Sequence, residues 1–187
     1  MTPLGVLWRD WRVGRQLRAN AEAYVDRLLA EPDEDDVRWL AREATGDDLD
    51  HARWELRYAR RSMGLLTAQR DALDDRTGSA VARELGEVLG RDPAVAPGKL
   101  LVAETQFNVR IRAYTDALAN REGAGSVWHL GRTLLRFAGS SSPSSAEMVA
   151  RASEIVSSYL AEANAALRDI FGTASLPEDV LPSTSRT

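Results

Sequence analysis

The sequence DHARWELRYARRSMG, residues 50–64, carries apolar side chains on two sides of a helix. At about 100° per residue, small and aliphatic residues gather on one side, and aromatic and aliphatic residues gather on the opposite side. A helix that buries a single face would carry only one such stripe, so this pattern predicts a helix that is covered on both sides. The first side is Ala52, Leu56, Ala59, Met63 and Leu66, and the second is Trp54, Tyr58, Leu65 and Ala72.

Two arrangements would cover the second side. The helix could be central within its own bundle, with Trp54 and Tyr58 under the N-terminal helix, because aromatic residues commonly fill cores. Alternatively, the second side could meet another chain, since Trp, Tyr and Arg are enriched in interface hot spots. A fully surrounded helix is hard to provide with only six helices, so we expect a homodimer or a partner surface built on Trp54, Tyr58 and Leu65.

An arginine strip, Arg53, Arg57, Arg60 and Arg61, lies between the two apolar sides. It favours a solvated or intrachain-paired face, because the acidic segment EPDEDD at residues 31–36 offers carboxylate partners. An acidic protein partner is the second interpretation, which adds these arginines to the predicted partner-binding residues. Phosphate or nucleic acid is the weakest, because the strip is short and the net charge is −4.

Helical periodicity extends through the rest of the chain, and no segment alternates in the manner of a strand. The pattern predicts four long and two short helices, and an antiparallel helical bundle is the simplest all-α architecture for them. One long helix is predicted from residue 48 to residue 89, with Gly78 as the point at which it could kink or divide. We expect a single domain over residues 1–172 and a flexible tail over residues 173–187.

Composition narrows the classes of function. The chain has 187 residues, of which 44% are apolar and 28% charged, as in ordinary soluble domains. It has no cysteine, which excludes disulfides and thiolate chemistry. No apolar run is long enough to span a membrane, and Arg9 and Asp10 interrupt any secretory leader, so we expect a cytoplasmic protein. Lys99 is the single lysine among 24 basic residues, so an arginine here is a weaker indication of phosphate recognition than usual.

A weak metal-binding pattern is formed by Asp48, His51 and Glu55, which share one helix face. Carboxylate and imidazole ligands at this spacing suit a divalent metal. A di-iron bundle, however, needs a second Glu-x-x-His pair and further glutamates, which this chain does not offer. Acidic residues in a first helical turn also stabilise the helix by themselves, and we favour that interpretation. We expect no metal and no cofactor.

The sequence supports three expectations about function. The first is a non-catalytic, self-associating interaction or scaffold protein that binds itself or another protein through helix faces, with no nucleic-acid partner. The alternative is a small-molecule binder or sensor with a pocket between helices lined by Trp128, Tyr114 and Phe137. The third is an enzyme assisted by a metal at Asp48, His51 and Glu55. No nucleophile and base stand in a recognisable motif, so catalysis ranks below binding.

Overall fold

The computed structural model describes residues 3–72, 74–120, 122–123, 125–140 and 145–172, with side chains from residue 13 onward. Every regular element in these ranges is helical, and the helices pack as an all-α bundle. The predicted tail, residues 173–187, lies outside the described residues. The described residues form seven α-helices: α1 Pro3–Leu28, α2 Glu34–Leu40, α3 Leu49–Asp71, α4 Asp75–Leu89, α5 Leu100–Ala119, α6 Ser126–Phe137 and α7 Ala146–Phe171.

Side-chain caps set the start of four helices. In each case a carboxylate or hydroxyl oxygen accepts a hydrogen bond from one of the backbone N–H groups that a helix leaves without an internal partner. A π-helical turn, Ala41–Thr45, extends α2, and a 3₁₀ turn, Pro97–Lys99, leads into α5. The caps are Asp33 to the Asp35 N–H, Asp48 to the His51 N–H, Asp74 to the Thr77 N–H, and Ser145 to the Met148 N–H.

The single helix predicted over residues 48–89 is wrong, because the structure divides it into α3 and α4. The break falls at residues 72–74 and not at Gly78. Ala72 and Asp74 both have extended backbones, and the Asp74 carboxylate caps the new helix. Gly78 lies inside α4, where an added Cβ would meet the Ala68 carbonyl oxygen at 3.4 Å, an ordinary van der Waals contact with α3.

α3 is the central helix, and this corrects the expectation that the chain could not surround it. Its Leu56 side packs against α2, α5, α6 and α7, and its Tyr58 side packs against α1, α4, α5 and α7. The missed break explains the error, because α4 turns back and, with α1, supplies the cover for the second side. The Tyr58-side cluster includes Tyr24, Val25, Tyr58, Leu65, Val81, Leu85, Phe107 and Leu167.

α5 and α6 form one side of the bundle. Glu55 of α3 pairs with Arg110 of α5, and Tyr58 lies beside Phe107, so the two helices run antiparallel. α6 follows α5 after a short connection and packs closely on α7. No helix within the described ranges is long and apolar enough to cross a membrane.

Candidate functional site

The predicted partner-binding face is mostly packed within the chain. Tyr58 and Leu65 are each 8% exposed, and Trp54 is half-buried against the same cluster. The rings of Trp54 and Tyr58 lie 5.6 Å apart, and the Tyr58 ring lies 6.5 Å from that of Phe107. A role for these residues as partner contacts stays a prediction, and it now requires α3 to exchange intrachain contacts for intermolecular ones.

Each arginine of the strip on α3 forms an ion pair inside the chain. The acidic segment 31–36 supplies two of the partners, as the sequence suggested, so the strip is largely neutralised. Arg61 and Asp92 are both buried, and burial lowers the pKa of the Arg61 guanidinium despite the nearby carboxylate. The pairs are Arg53 with Glu34, Arg57 with Glu31, Arg60 with Glu162, and Arg61 with Asp92.

The three residues of the metal-binding pattern have other partners. Asp48 accepts a hydrogen bond from the His51 N–H at 2.9 Å as the cap of α3. The Glu55 carboxylate receives the Arg110 guanidinium, and His51 Nε2 lies 3.4 Å from Glu55 Oε1. Within the described ranges, no three His, Asp or Glu side chains converge in a way that would hold a metal ion.

The Glu55–Arg110 pair fixes α5 against α3. Both side chains are buried, and Arg110 donates to both carboxylate oxygens of Glu55. The guanidinium also lies 4.7 Å from the ring centres of Tyr58 and Phe137, and it donates to Gln106. A two-pronged pair with aromatic rings beside it is the geometry in which arginine binds carboxylate most strongly. This contact positions the α5 wall of the cleft described next.

An open cleft of about 680 Å³ lies between α5 and α6. Its walls follow helical spacing on both sides, so each helix presents one row of residues to the space. The floor is small and apolar and is completed by Val149 of α7. The α5 row is Ala113, Asp116, Ala117 and Asn120, and the α6 row is Trp128, His129, Arg132, Thr133 and Arg136, with Ser140 beyond the helix end.

Only one of the three aromatic residues predicted to line a pocket does so. Trp128 is half-buried and lines the cleft. Tyr114 is fully buried in the core, and Phe137 is half-buried beside Arg110, so neither borders the cleft. Burial raises the pKa of the Tyr114 phenol, so this hydroxyl stays neutral at physiological pH.

The α6 wall is held by two local contacts. Gly131 faces α7 so closely that an added Cβ would stand 2.7 Å from the Ser153 backbone nitrogen and 2.8 Å from the Val149 carbonyl oxygen. His129 Nε2 lies 3.0 Å from the Glu122 carbonyl oxygen in the connection between α5 and α6. Thr133 donates its hydroxyl to the His129 carbonyl oxygen at 2.9 Å. These contacts hold the polar groups of the α6 wall in place.

A second cleft, of about 790 Å³, lies between the C-terminal ends of α3 and α7. Its lining joins three alanines to polar residues, and its Arg70 is paired with Asp71 at 2.6 Å. In the α5–α6 cleft, Arg132 and Arg136 form no ion pair with any carboxylate of the described residues. Two guanidinium groups on one wall of this cleft are thus left without a carboxylate.

Arg132, Arg136 and Asp116 line the cleft but were not predicted as site residues. A signal was present, because Trp128, Arg132 and Arg136 recur every four residues and must share one face of α6. This signal was given little weight because arginine is abundant throughout the chain, so no single arginine was taken as an indication of anion binding.

Comparison of the chain with protein-family models, with curated proteins and with solved structures gives no match.

Proposed function

We propose that this protein binds a small molecule in the cleft between α5 and α6 and acts without catalysis. The observation that carries the proposal is a cleft of about 680 Å³ whose lining includes an aromatic ring and two guanidinium groups that form no ion pair with any carboxylate of the described residues. Ligand sites in proteins typically have about 300–1,000 Å³ and join apolar walls to a few placed polar groups. This is the alternative function expected from the sequence. Of the three aromatic residues predicted to line the pocket, Trp128 is the one that lines this cleft.

Two lining groups that could take part in catalysis are engaged within the chain, which favours binding over chemistry. His129 is the only imidazole that lines the cleft, and its Nε2 is engaged by a backbone carbonyl oxygen instead of a nucleophile. The Thr133 hydroxyl donates to a backbone carbonyl as well. General acid–base catalysis needs a titrating group within hydrogen-bond reach of the reacting atom and free to exchange a proton.

Filling the cleft tests this function. Ala113 is part of the α5 wall, and Ala113→Phe would occupy the space; Ala119→Phe places the same ring on the exposed end of α5, away from the cleft. Melting temperatures are measured with a panel of anionic, neutral and cationic small molecules. A ligand at 100 times its Kd stabilises the folded state by about 2.7 kcal/mol, which corresponds to about 5–10 °C for a chain of this size.

We expect at least one compound to stabilise the wild type and the Ala119→Phe variant but not the Ala113→Phe variant. The proposal fails if no compound stabilises the wild type, or if Ala113→Phe responds as the wild type does. Far-ultraviolet circular dichroism of both variants checks that the added ring has not unfolded the bundle.

Self-association is the second candidate, and the exposed face of α5 favours it. Leu101 is 75% exposed, and Val102 and Val109 are also large apolar residues open to solvent. The spacing of these residues suits a second copy of the chain as the partner of this face. If two α5 helices paired antiparallel about Thr105, Leu101 of one copy would lie opposite Val109 of the other. One helix stripe buries less than about 1,200 Å² in total, the range of weak complexes.

Leu101→Glu is expected to abolish this weak association, because the pairing would bury a carboxylate without a partner. Sedimentation velocity over a protein concentration series measures it, with Glu104→Gln as the control on the same helix. A wild-type chain that stays monomeric at 20.5 kDa up to about 1 mM contradicts the candidate.

A further inference from the structure

The two arginines of the α6 wall, Arg132 and Arg136, are exposed, and no carboxylate of the described residues pairs with either of them. The Arg136 guanidinium lies 5.1 Å from the centre of the Phe137 ring. The four strip arginines of α3, by contrast, are all paired. Like charges four residues apart on a helix destabilise it, and a bound anion would offset this repulsion.

Their spacing also suits an anion with an attached ring. Trp128, Arg132 and Arg136 stand at successive turns of α6, on one side of the cleft. A guanidinium donates two parallel hydrogen bonds to an oxyanion, and two guanidinium groups one turn apart can share a phosphate or carboxylate. A planar ring next to that group would meet the Trp128 indole, and aromatic rings attract each other in the offset-stacked arrangement.

The geometry points to a small aromatic oxyanion as the ligand of the α5–α6 cleft, with its phosphate or carboxylate on Arg132 and Arg136 and its ring beside Trp128. This inference rests on the proposed function and adds the chemical class of the ligand. Asn120 supports the arrangement at the rim, because its Oδ1 accepts from the Glu122 N–H at 2.9 Å and its NH₂ group is left to donate.

Asp116 is the opposing charge in the cleft. It lies on the α5 wall, is exposed, and forms no ion pair with Arg132 or Arg136. Its carboxylate repels an anion, whereas it would attract a cation. Removing this charge should therefore raise the affinity for an anion and lower the affinity for a cation. Asp116→Asn is thus a direct test of the sign of the ligand's charge.

The test compares matched ligand pairs by isothermal titration calorimetry on the full chain at constant ionic strength. The pairs are AMP with adenosine, phenyl phosphate with phenol, and indole-3-acetate with indole-3-acetamide; inorganic phosphate is measured alone. The variants are Arg132→Gln, Arg136→Gln and Asp116→Asn. Arg112→Gln is the control, because it removes an exposed arginine of α5 that does not line the cleft.

We expect an oxyanion of at least one pair to bind more tightly than its neutral partner and more tightly than inorganic phosphate. A hydrogen bond to a charged group contributes about 1.5–3 kcal/mol, so Arg132→Gln or Arg136→Gln should weaken binding by about 10–100-fold. Asp116→Asn should tighten it by a few fold, and Arg112→Gln should leave it unchanged.

Five outcomes overturn the inference. Equal binding of each oxyanion and its neutral partner removes the role of the arginines, and equal binding of inorganic phosphate removes the role of the ring. Weaker binding of an oxyanion to Asp116→Asn contradicts the placement of its charge in this cleft, because removing a nearby carboxylate should favour an anion. If a neutral or cationic compound binds the wild type and is lost in Ala113→Phe, the ligand class is wrong while the proposed function stands. If no compound of any class binds, both are wrong.

Discussion

Replacing Arg110 with methionine is expected to lower the free energy of unfolding by about 3–5 kcal/mol, because it leaves the Glu55 carboxylate buried without its guanidinium. Glu55 is 2% exposed and Arg110 is 7% exposed, so water cannot take over the lost hydrogen bonds. The variant also removes a cation from between the Tyr58 and Phe137 rings. Urea unfolding followed by circular dichroism measures the change.

Two comparisons make this prediction specific. The double variant Glu55→Leu with Arg110→Met should be less destabilised than Arg110→Met alone, since it removes the stranded charge. Arg53→Met breaks an exposed pair with Glu34 and should cost at most about 1 kcal/mol. A loss in Arg110→Met no larger than the loss in Arg53→Met would show that the buried pair does not hold α5 in place.

Gly131→Ala is the second substitution with a large expected effect. A Cβ at this position would stand 2.7 Å from the Ser153 nitrogen and 2.8 Å from the Val149 carbonyl oxygen, and backbone atoms of α7 cannot rotate away. α6 would have to move off α7, and overpacking of this kind costs about 1–3 kcal/mol even after the better helix propensity of alanine is counted. Thermal unfolding measures the change.

Gly86→Ala is the matched control for that experiment. Gly86 is also inside a helix, but an added Cβ there meets no atom within 4 Å. Alanine should therefore stabilise α4 by up to about 1 kcal/mol. If both substitutions stabilise the protein, the close approach of α6 and α7 does not require glycine at position 131. The contact with α7 would then not fix the α6 wall of the cleft.

Periodicity alone was sufficient to predict the helical class and the two apolar sides of α3, because both follow from the repeat of the helix. It did not predict what covers the Tyr58 side. The cover depends on the break at residues 72–74, where the Asp74 cap competes with continuing the helix. The apolar pattern continues through this point, so the sequence predicts one helix where the structure has two. Because α4 was not counted as a separate helix, an external partner was predicted to cover the Tyr58 side.

The candidate site was harder to predict for a different reason. A cleft is formed by two helices, and the Trp128, Arg132 and Arg136 row acquires meaning only when α5 lies opposite with Asp116. That placement depends on the Glu55–Arg110 contact, which joins residues 55 positions apart in the chain. The sequence does not show which arginines have a carboxylate partner. The structure is therefore needed to distinguish Arg132 and Arg136 from the paired arginines of the strip on α3.

The most direct test of the ligand site is an NMR titration of the ¹⁵N-labelled full chain with the compound that gives the largest thermal shift in the panel. The chain has five tryptophans, and Trp128→Phe assigns the Trp128 indole resonance. The account predicts a saturable shift of this resonance, together with the Nε–H signals of Arg132 and Arg136, while Trp39 and Trp54 stay unchanged. A compound that binds and leaves the Trp128 resonance in place, or the absence of any binding compound, would contradict it.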